Sequence, residues 1–197
     1  VDGQLGPAAV WGTGIYQGGT ADTAAVDFDI SAYLFALGAN VPVGPAGIHG
    51  QFFYASGDDD LTNDEADAFF GIGGAGVGQA YYWAEILGLG LFDWDAPTGS
   101  PNADVSNMWA ANLGATIKPM EKLSLTGDIW YAQLVEDNAF GEDQLGFEID
   151  LVATYQLVEG MNLDLVGAYL FAGDAVSADG ANDEDPYELG WRLSLSF

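Results

Sequence analysis

The chain has no cysteine, one histidine and three basic residues in 197. Without cysteine there is neither a disulfide scaffold nor a thiolate metal site, and the absence is compatible with an oxidising envelope compartment. Three Lys and Arg against 30 Asp and Glu give a net charge of -27. That balance excludes a nucleic-acid binder, which needs a basic footprint. A lone histidine, His49, cannot build a His-rich zinc site, so we expect no enzyme; beside Gln51 it reads as a lumen or rim residue. No apolar run approaches the roughly 18 residues of a transmembrane helix. If the chain crosses a bilayer it does so as strands, because only helices and closed barrels satisfy their backbone in lipid. The chain begins Val1-Asp-Gly-Gln-Leu-Gly, with no charged and apolar leader. We expect either a signal peptide already removed or a start partway through a longer protein.

What is present conflicts with that charge: 49% of residues are hydrophobic and mean hydropathy is +0.13. So acidic a chain repels itself when compact unless its carboxylates are segregated. They are, crowding into 58–65, Asp93 and Asp95, 136–143 and 179–185, with apolar or alternating segments between. In the segment 144–157, Leu145, Phe147, Ile149, Leu151, Ala153 and Tyr155 alternate with Gly146, Glu148, Asp150, Val152 and Thr154. Leu123, Leu125, Ile129 and Tyr131 do the same against Ser124, Thr126 and Asp128. Period two with charge on one face marks strands. Segment 163–172 follows, its second face (Asp164, Val166, Ala168, Leu170) more apolar than a wide channel wants. Weaker strands fall at 106–117, 46–56, 25–39 and 8–16.

The chain closes on Glu188-Leu-Gly-Trp-Arg-Leu-Ser-Leu-Ser-Phe197, an unbroken alternation ending on an aromatic. It places Leu189, Trp191, Leu193, Leu195 and Phe197 on one face and Glu188, Gly190, Arg192, Ser194 and Ser196 on the other. This resembles the C-terminal strand of Gram-negative outer-membrane proteins, and the resemblance implies recognition of the terminal Phe by the barrel-assembly machinery. The phrases Gly50-Gln-Phe-Phe-Tyr-Ala-Ser-Gly-Asp-Asp-Asp60, Tyr81-Tyr-Trp-Ala-Glu-Ile-Leu87 and Leu165-Val-Gly-Ala-Tyr-Leu-Phe-Ala-Gly-Asp174 are similar in style to large porin-like barrels grouped with alginate-export proteins. That similarity implies the C-terminal part of a larger barrel.

The expected fold is therefore all-β: an antiparallel up-and-down transmembrane β-barrel with about 8–10 strands in this chain. Short and long connections alternate as such a barrel requires. The turns at 118–122, 158–161 and 40–45 are short and periplasmic; the connections 173–186, 135–143 and 57–105 are long, acidic and extracellular. Residues 1–197 read as one barrel domain or as a segment of a larger one. Segment 57–105 either adds a hairpin through 66–76 and 80–92 or folds inward to constrict the lumen.

Asp128, Glu148, Asp150, Glu188 and Arg192 share the inward face and are the expected lumen lining. Arg192, the single arginine, is expected in a carboxylate network with the other four, since charges removed from water are usually paired. Glu148 and Asp150 as an acid–base pair is the less favoured reading; wall residues of a wet lumen is the better one. Asp58, Asp60 and Asp64, with Asp179, Asp183 and Asp185, are dense enough in oxygen ligands for calcium. They lack EF-hand spacing, and solvated turns are the default for such runs. No cofactor is expected beyond that calcium. Tyr131, Tyr155, Tyr169, Phe171, Tyr187 and Trp191 fall near strand ends, where interfacial aromatics sit. The expected function is an outer-membrane porin, a passive cation-preferring diffusion channel for ions or small solutes. Its expected partners are membrane lipid, lipopolysaccharide, the solutes, and further copies of itself as a homo-oligomer. The alternative is a narrow closed barrel with a structural or adhesive role, its acidic loops binding calcium or partner proteins. A narrow barrel fills its interior with side chains, so strand number separates the two.

Overall fold

The computed structural model describes residues 1–22, 27–60, 62–70, 83–88, 90, 105–177 and 184–196. Ten strands form one sheet: β1 (Asp2–Leu5), β2 (Ala8–Asp22), β3 (Asp27–Val43), β4 (Ala46–Ala55), β5 (Glu65–Ala66), β6 (Met108–Met120), β7 (Leu123–Leu134), β8 (Gln144–Val158), β9 (Met161–Ala172) and β10 (Tyr187–Leu195). The order is β1-β2-β3-β4-β6-β7-β8-β9-β10, antiparallel throughout, with β5 a two-residue parallel addition to β3. The fold is thus an antiparallel up-and-down meander, and each of the eight strands expected from alternation is present. β1 was not foreseen, because four exposed residues without an apolar repeat carry no periodic signal.

Tight turns at 6–7, 44–45, 121–122 and 159–160 gather at one end of the sheet, and at the other lie the connection 135–143 and the strand ends that open into 56–107 and 173–186. Leu189 is 79% exposed and Leu151 62%, and Leu113, Leu165, Leu193 and Leu195 share that outer face. β2, β3, β6, β7, β8 and β9 exceed the roughly 9–11 residues that cross a bilayer, and β4 with ten and β10 with nine fall within that range. Towards the loop end, rings meet across neighbouring strands: Tyr33 on Tyr54 at 5.8 Å, Phe35 on Tyr54 at 5.2 Å, Phe52 on Trp109 at 6.0 Å, Trp109 on Tyr131 at 5.4 Å and Phe147 on Phe171 at 6.0 Å. They form an aromatic belt along the outer face, at the level where amphipathic rings favour a membrane boundary. Of the expected belt, Tyr131, Tyr169, Phe171 and Tyr187 lie at this end; Tyr155 and Trp191 lie lower on the wall.

The inner face is not the wet wall that alternation suggested. Ala32 and Ala36 of β3, Phe53 and Ala55 of β4, Met108 and Ala110 of β6, Trp130 and Ala132 of β7, Leu145 of β8 and Leu170 of β9 converge in one apolar cluster. Six strands that share a cluster must curve around it. Leu145 was expected outside and is buried inside, because the strand register slips between Ala132 and Gln133, across from Gly146. Gly146 sits at φ 127, a backbone conformation that side chains oppose, and a bulge of this kind re-aims its neighbour. A Cβ there would strike the Phe171 carbonyl oxygen. We expect Gly146→Ala to lower stability by about 1–3 kcal/mol, read as a shift in the urea midpoint of the detergent-folded protein.

Candidate functional site

The long connection between β4 and β6 is fixed where it leaves and rejoins the sheet. Ser56 Oγ accepts the Tyr33 N–H at 3.0 Å and donates to the Asp67 carbonyl at 2.6 Å. The Ser56 carbonyl accepts the N–H groups of Phe69, at 2.9 Å, and Asn107, at 3.1 Å. Asn107 in turn exchanges two side-chain bonds with the Glu136 backbone, at 2.9 and 3.0 Å. Neither Ser56 nor Asn107 was singled out in the sequence. The signal lay in a polar residue directly beyond the last strand position on each side of the excursion.

Residues 83–88 of that connection lie inside the curve of the sheet. Trp83 is 1% exposed and Leu87 0%. Trp83 packs edge-on against Phe53 at 5.3 Å and Trp130 at 5.5 Å. These residues form bends; segments 71–82 and 91–104, through which the expected hairpin would run, lie outside the described residues. Among the described residues no strand pairs with this stretch to satisfy its N–H groups. The β8 carboxylates do: Glu148 accepts from Ile86 at 2.6 Å through Oε1 and from Leu87 at 2.8 Å through Oε2, and Asp150 Oδ2 accepts from Glu85 at 3.3 Å. Glu148 is 0% exposed. Its expected role as a wetted wall residue is therefore corrected: both of its oxygens anchor the infolded backbone.

On the turn side of this segment lies a cavity of about 800 Å³, lined by Trp11, Trp83, Trp130, Glu85, Asp128 and Asp150 among others. Asp128 Oδ1 meets His49 Nε2 at 2.7 Å and accepts from Asn112 Nδ2 at 2.7 Å. These partners come from β4, β6 and β7, whose register sets His49, Gly114 and Asp128 in one row. A Cβ at Gly114 would strike both His49 Nε2 and Asp128 Oδ1, so the missing side chain is what lets the pair meet across β6. In the same way Gly38 leaves room for the Trp11 indole.

Of the expected lining, Asp128 and Asp150 reach the cavity, and Glu188 is half-buried, with Oε1 lacking a hydrogen-bond partner. The ion pair of Arg192 is with Asp164 Oδ2, at 3.5 Å, and Thr154 Oγ1 donates to the other oxygen of Asp164 at 2.7 Å. The expected network placed Arg192 with Asp128, Glu148, Asp150 and Glu188; Asp164, the partner seen here, was not among them. Register puts Arg192 opposite Asp164 and Glu188 opposite Ala168, next to Asp150. Four residues along a strand separate the two levels by about 13 Å.

The acidic loops are organised by local turns. Asp58 Oδ1 accepts from the Asp60 N–H at 3.1 Å, and Asp60 Oδ1 from the Thr62 N–H at 3.0 Å and hydroxyl at 2.5 Å. The Thr62 hydroxyl and N–H hold the Asp60 carboxyl below its ordinary range. The Asp64 carbonyl accepts the Asp29 N–H. Asp185 accepts from the Ala172 N–H at 3.0 Å and the Tyr169 hydroxyl at 3.3 Å. Asp179 and Asp183 lie outside the described residues. Among the described residues no group of three or more His, Asp or Glu side chains is arranged to hold a metal ion.

An apolar outer face under an aromatic belt, on a curved antiparallel up-and-down meander whose inner face mixes an apolar cluster with buried carboxylates, is the wall geometry of a membrane-spanning β-barrel. No family model matches the chain, and no curated protein does. Among solved structures it is similar to OmpT, an outer membrane protein of Vibrio cholerae folded in vitro, at 13% identity and a TM-score of 0.49. The match covers 98% of this chain and 53% of that one, so the chain spans about half the length of OmpT. A likeness of that degree carries no argument, and the class rests on the geometry above.

Proposed function

We propose that this chain forms the wall of an outer-membrane channel that passes small cations, with residues 83–88 as its inward constriction. The observation that carries the reading is the sign of the interior. Glu85, Asp128, Glu148, Asp150, Asp164 and Glu188 line or underlie the inner face, and Arg192 is the guanidinium set against them. A lumen walled by carboxylates and bounded by low-dielectric strands concentrates cations and repels anions. The apolar outer face supports a wall set in lipid, because so large an apolar surface left in water would be an association hazard. Lipopolysaccharide and the loop carboxylates then share the outer boundary. No covalent chemistry is part of this reading.

The second reading, a closed barrel with a structural or adhesive role, is favoured by one observation: Trp83 and Leu87 are packed, fully buried, inside the curve of the sheet. Conductance in a planar bilayer under a KCl gradient separates the two. Discrete steps whose reversal potential lies on the potassium side are expected of the channel. Silence, from protein whose heat-modifiable band shows a folded barrel, would sink the channel and leave the closed barrel.

A further inference from the structure

The cavity beside residues 83–88 holds unmet bonding capacity as well as charge. Asp150 Oδ1 and Trp83 Nε1 are both buried without a hydrogen-bond partner, and both residues line the cavity. A buried polar atom left without a partner carries a desolvation cost. The carboxylate oxygen needs a donor and the indole N–H needs an acceptor. Around them stand Asp128, committed through Oδ1 to His49 and Asn112, and the indoles of Trp11 and Trp130. Carboxylates beside aromatic rings suit a soft organic cation, which gains from the ring quadrupole as well as from the charge. Three indoles in one cavity offer that twice over, and Gly38 is what admits the indole of Trp11. Neutral polyols can donate hydroxyl hydrogens to the carboxylates but gain nothing from their charge, and anions are opposed by it.

We propose that this cavity is a binding site for a small hydroxyalkylammonium ion, the ammonium held by Asp150 and Asp128 among the indoles and the hydroxyl accepting from Trp83 Nε1. The proposal rests on the channel reading, because the lumen is the route by which such a solute arrives. It names the class of cation that reading leaves open.

Titration calorimetry of the detergent-folded protein with ethanolammonium chloride tests it, with ethylene glycol as the uncharged control and KCl holding ionic strength constant. The expected result is saturable heat from ethanolammonium, none from ethylene glycol, and at least tenfold weaker binding in Asp150→Asn and Asp128→Asn. The second variant sits on a different strand and keeps the test decisive if the first fails to fold. Absence of saturable heat in the unaltered protein, equal binding of ethylene glycol, or undiminished binding in folded Asp128→Asn would each overturn the site. Bilayer recordings on the same preparation keep the two claims apart. Potassium steps without ammonium binding remove the site and leave the channel; ammonium binding without steps removes the channel and leaves the site.

Discussion

Glu148→Ala is expected to raise single-channel conductance several-fold and to make residues 83–88 accessible to protease. The carboxylate accepts two backbone N–H groups of that stretch, at 2.6 and 2.8 Å, from a fully buried position. Hydrogen bonds to a charged group contribute about 1.5–3 kcal/mol each, so the pair holds the segment inward by about 3–6 kcal/mol. Losing it shifts the in-to-out equilibrium by about two to four orders of magnitude. Alanine leaves two buried donors unsatisfied, whereas Glu148→Gln keeps one oxygen acceptor and is expected to fall between. Recordings in a planar bilayer, with trypsin-independent cleavage by a broad-specificity protease mapped by mass spectrometry, check both halves. Unchanged step size together with unchanged protection would show that the apolar contacts of Trp83 and Leu87 hold the segment alone.

The second large effect belongs to the outer face. Leu151 is flanked across β7 and β9 by Gly127 and Gly167 and is 62% exposed. In water, replacing so exposed a leucine by arginine changes stability by about 0.5 kcal/mol or less. On the lipid face of a barrel near the bilayer midplane, arginine costs about 2–4 kcal/mol. We expect Leu151→Arg to lower the guanidinium midpoint for folding into phosphatidylcholine vesicles by that larger amount, with Glu121→Arg, in a turn, near neutral. A near-neutral Leu151→Arg would remove the membrane from the account.

Alternation made the wall legible in the sequence. Glu148 and Asp150 against Ile149 and Leu151, or Arg192 against Trp191 and Leu193, assign faces without ambiguity because the period of a strand is two residues. What alternation cannot report is what the inner face meets. Glu148 reads the same whether it faces water or the backbone of residues 86 and 87, and the contact joins positions some sixty residues apart. Leu145 was misassigned for a related reason: a single bulge at Gly146 changes the parity of everything before it. The Arg192 partner was missed because it depends on the register between β9 and β10, which face assignment alone does not fix. Asp128 lines the cavity, but its partner His49 could be found only once β4 and β7 were known to flank β6.

The seam between β4 and β6 differs in kind from the others. Every other long strand pairs with a chain neighbour, so its registry can zip from an adjacent turn or short loop; Ala55 must instead find Met108. Loop closure of that span is entropically the costliest step in building the sheet, and the ordering of β2 to β4 and of β6 to β10 can each precede it. We therefore expect the wall to fold by docking of two locally assembled leaves, with the Asn107 N–H to Ser56 carbonyl bond as the latch, β4–β6 pairing being the slowest phase in stopped-flow refolding into vesicles. A nick within the excursion would leave both leaves, and the latch between them, intact.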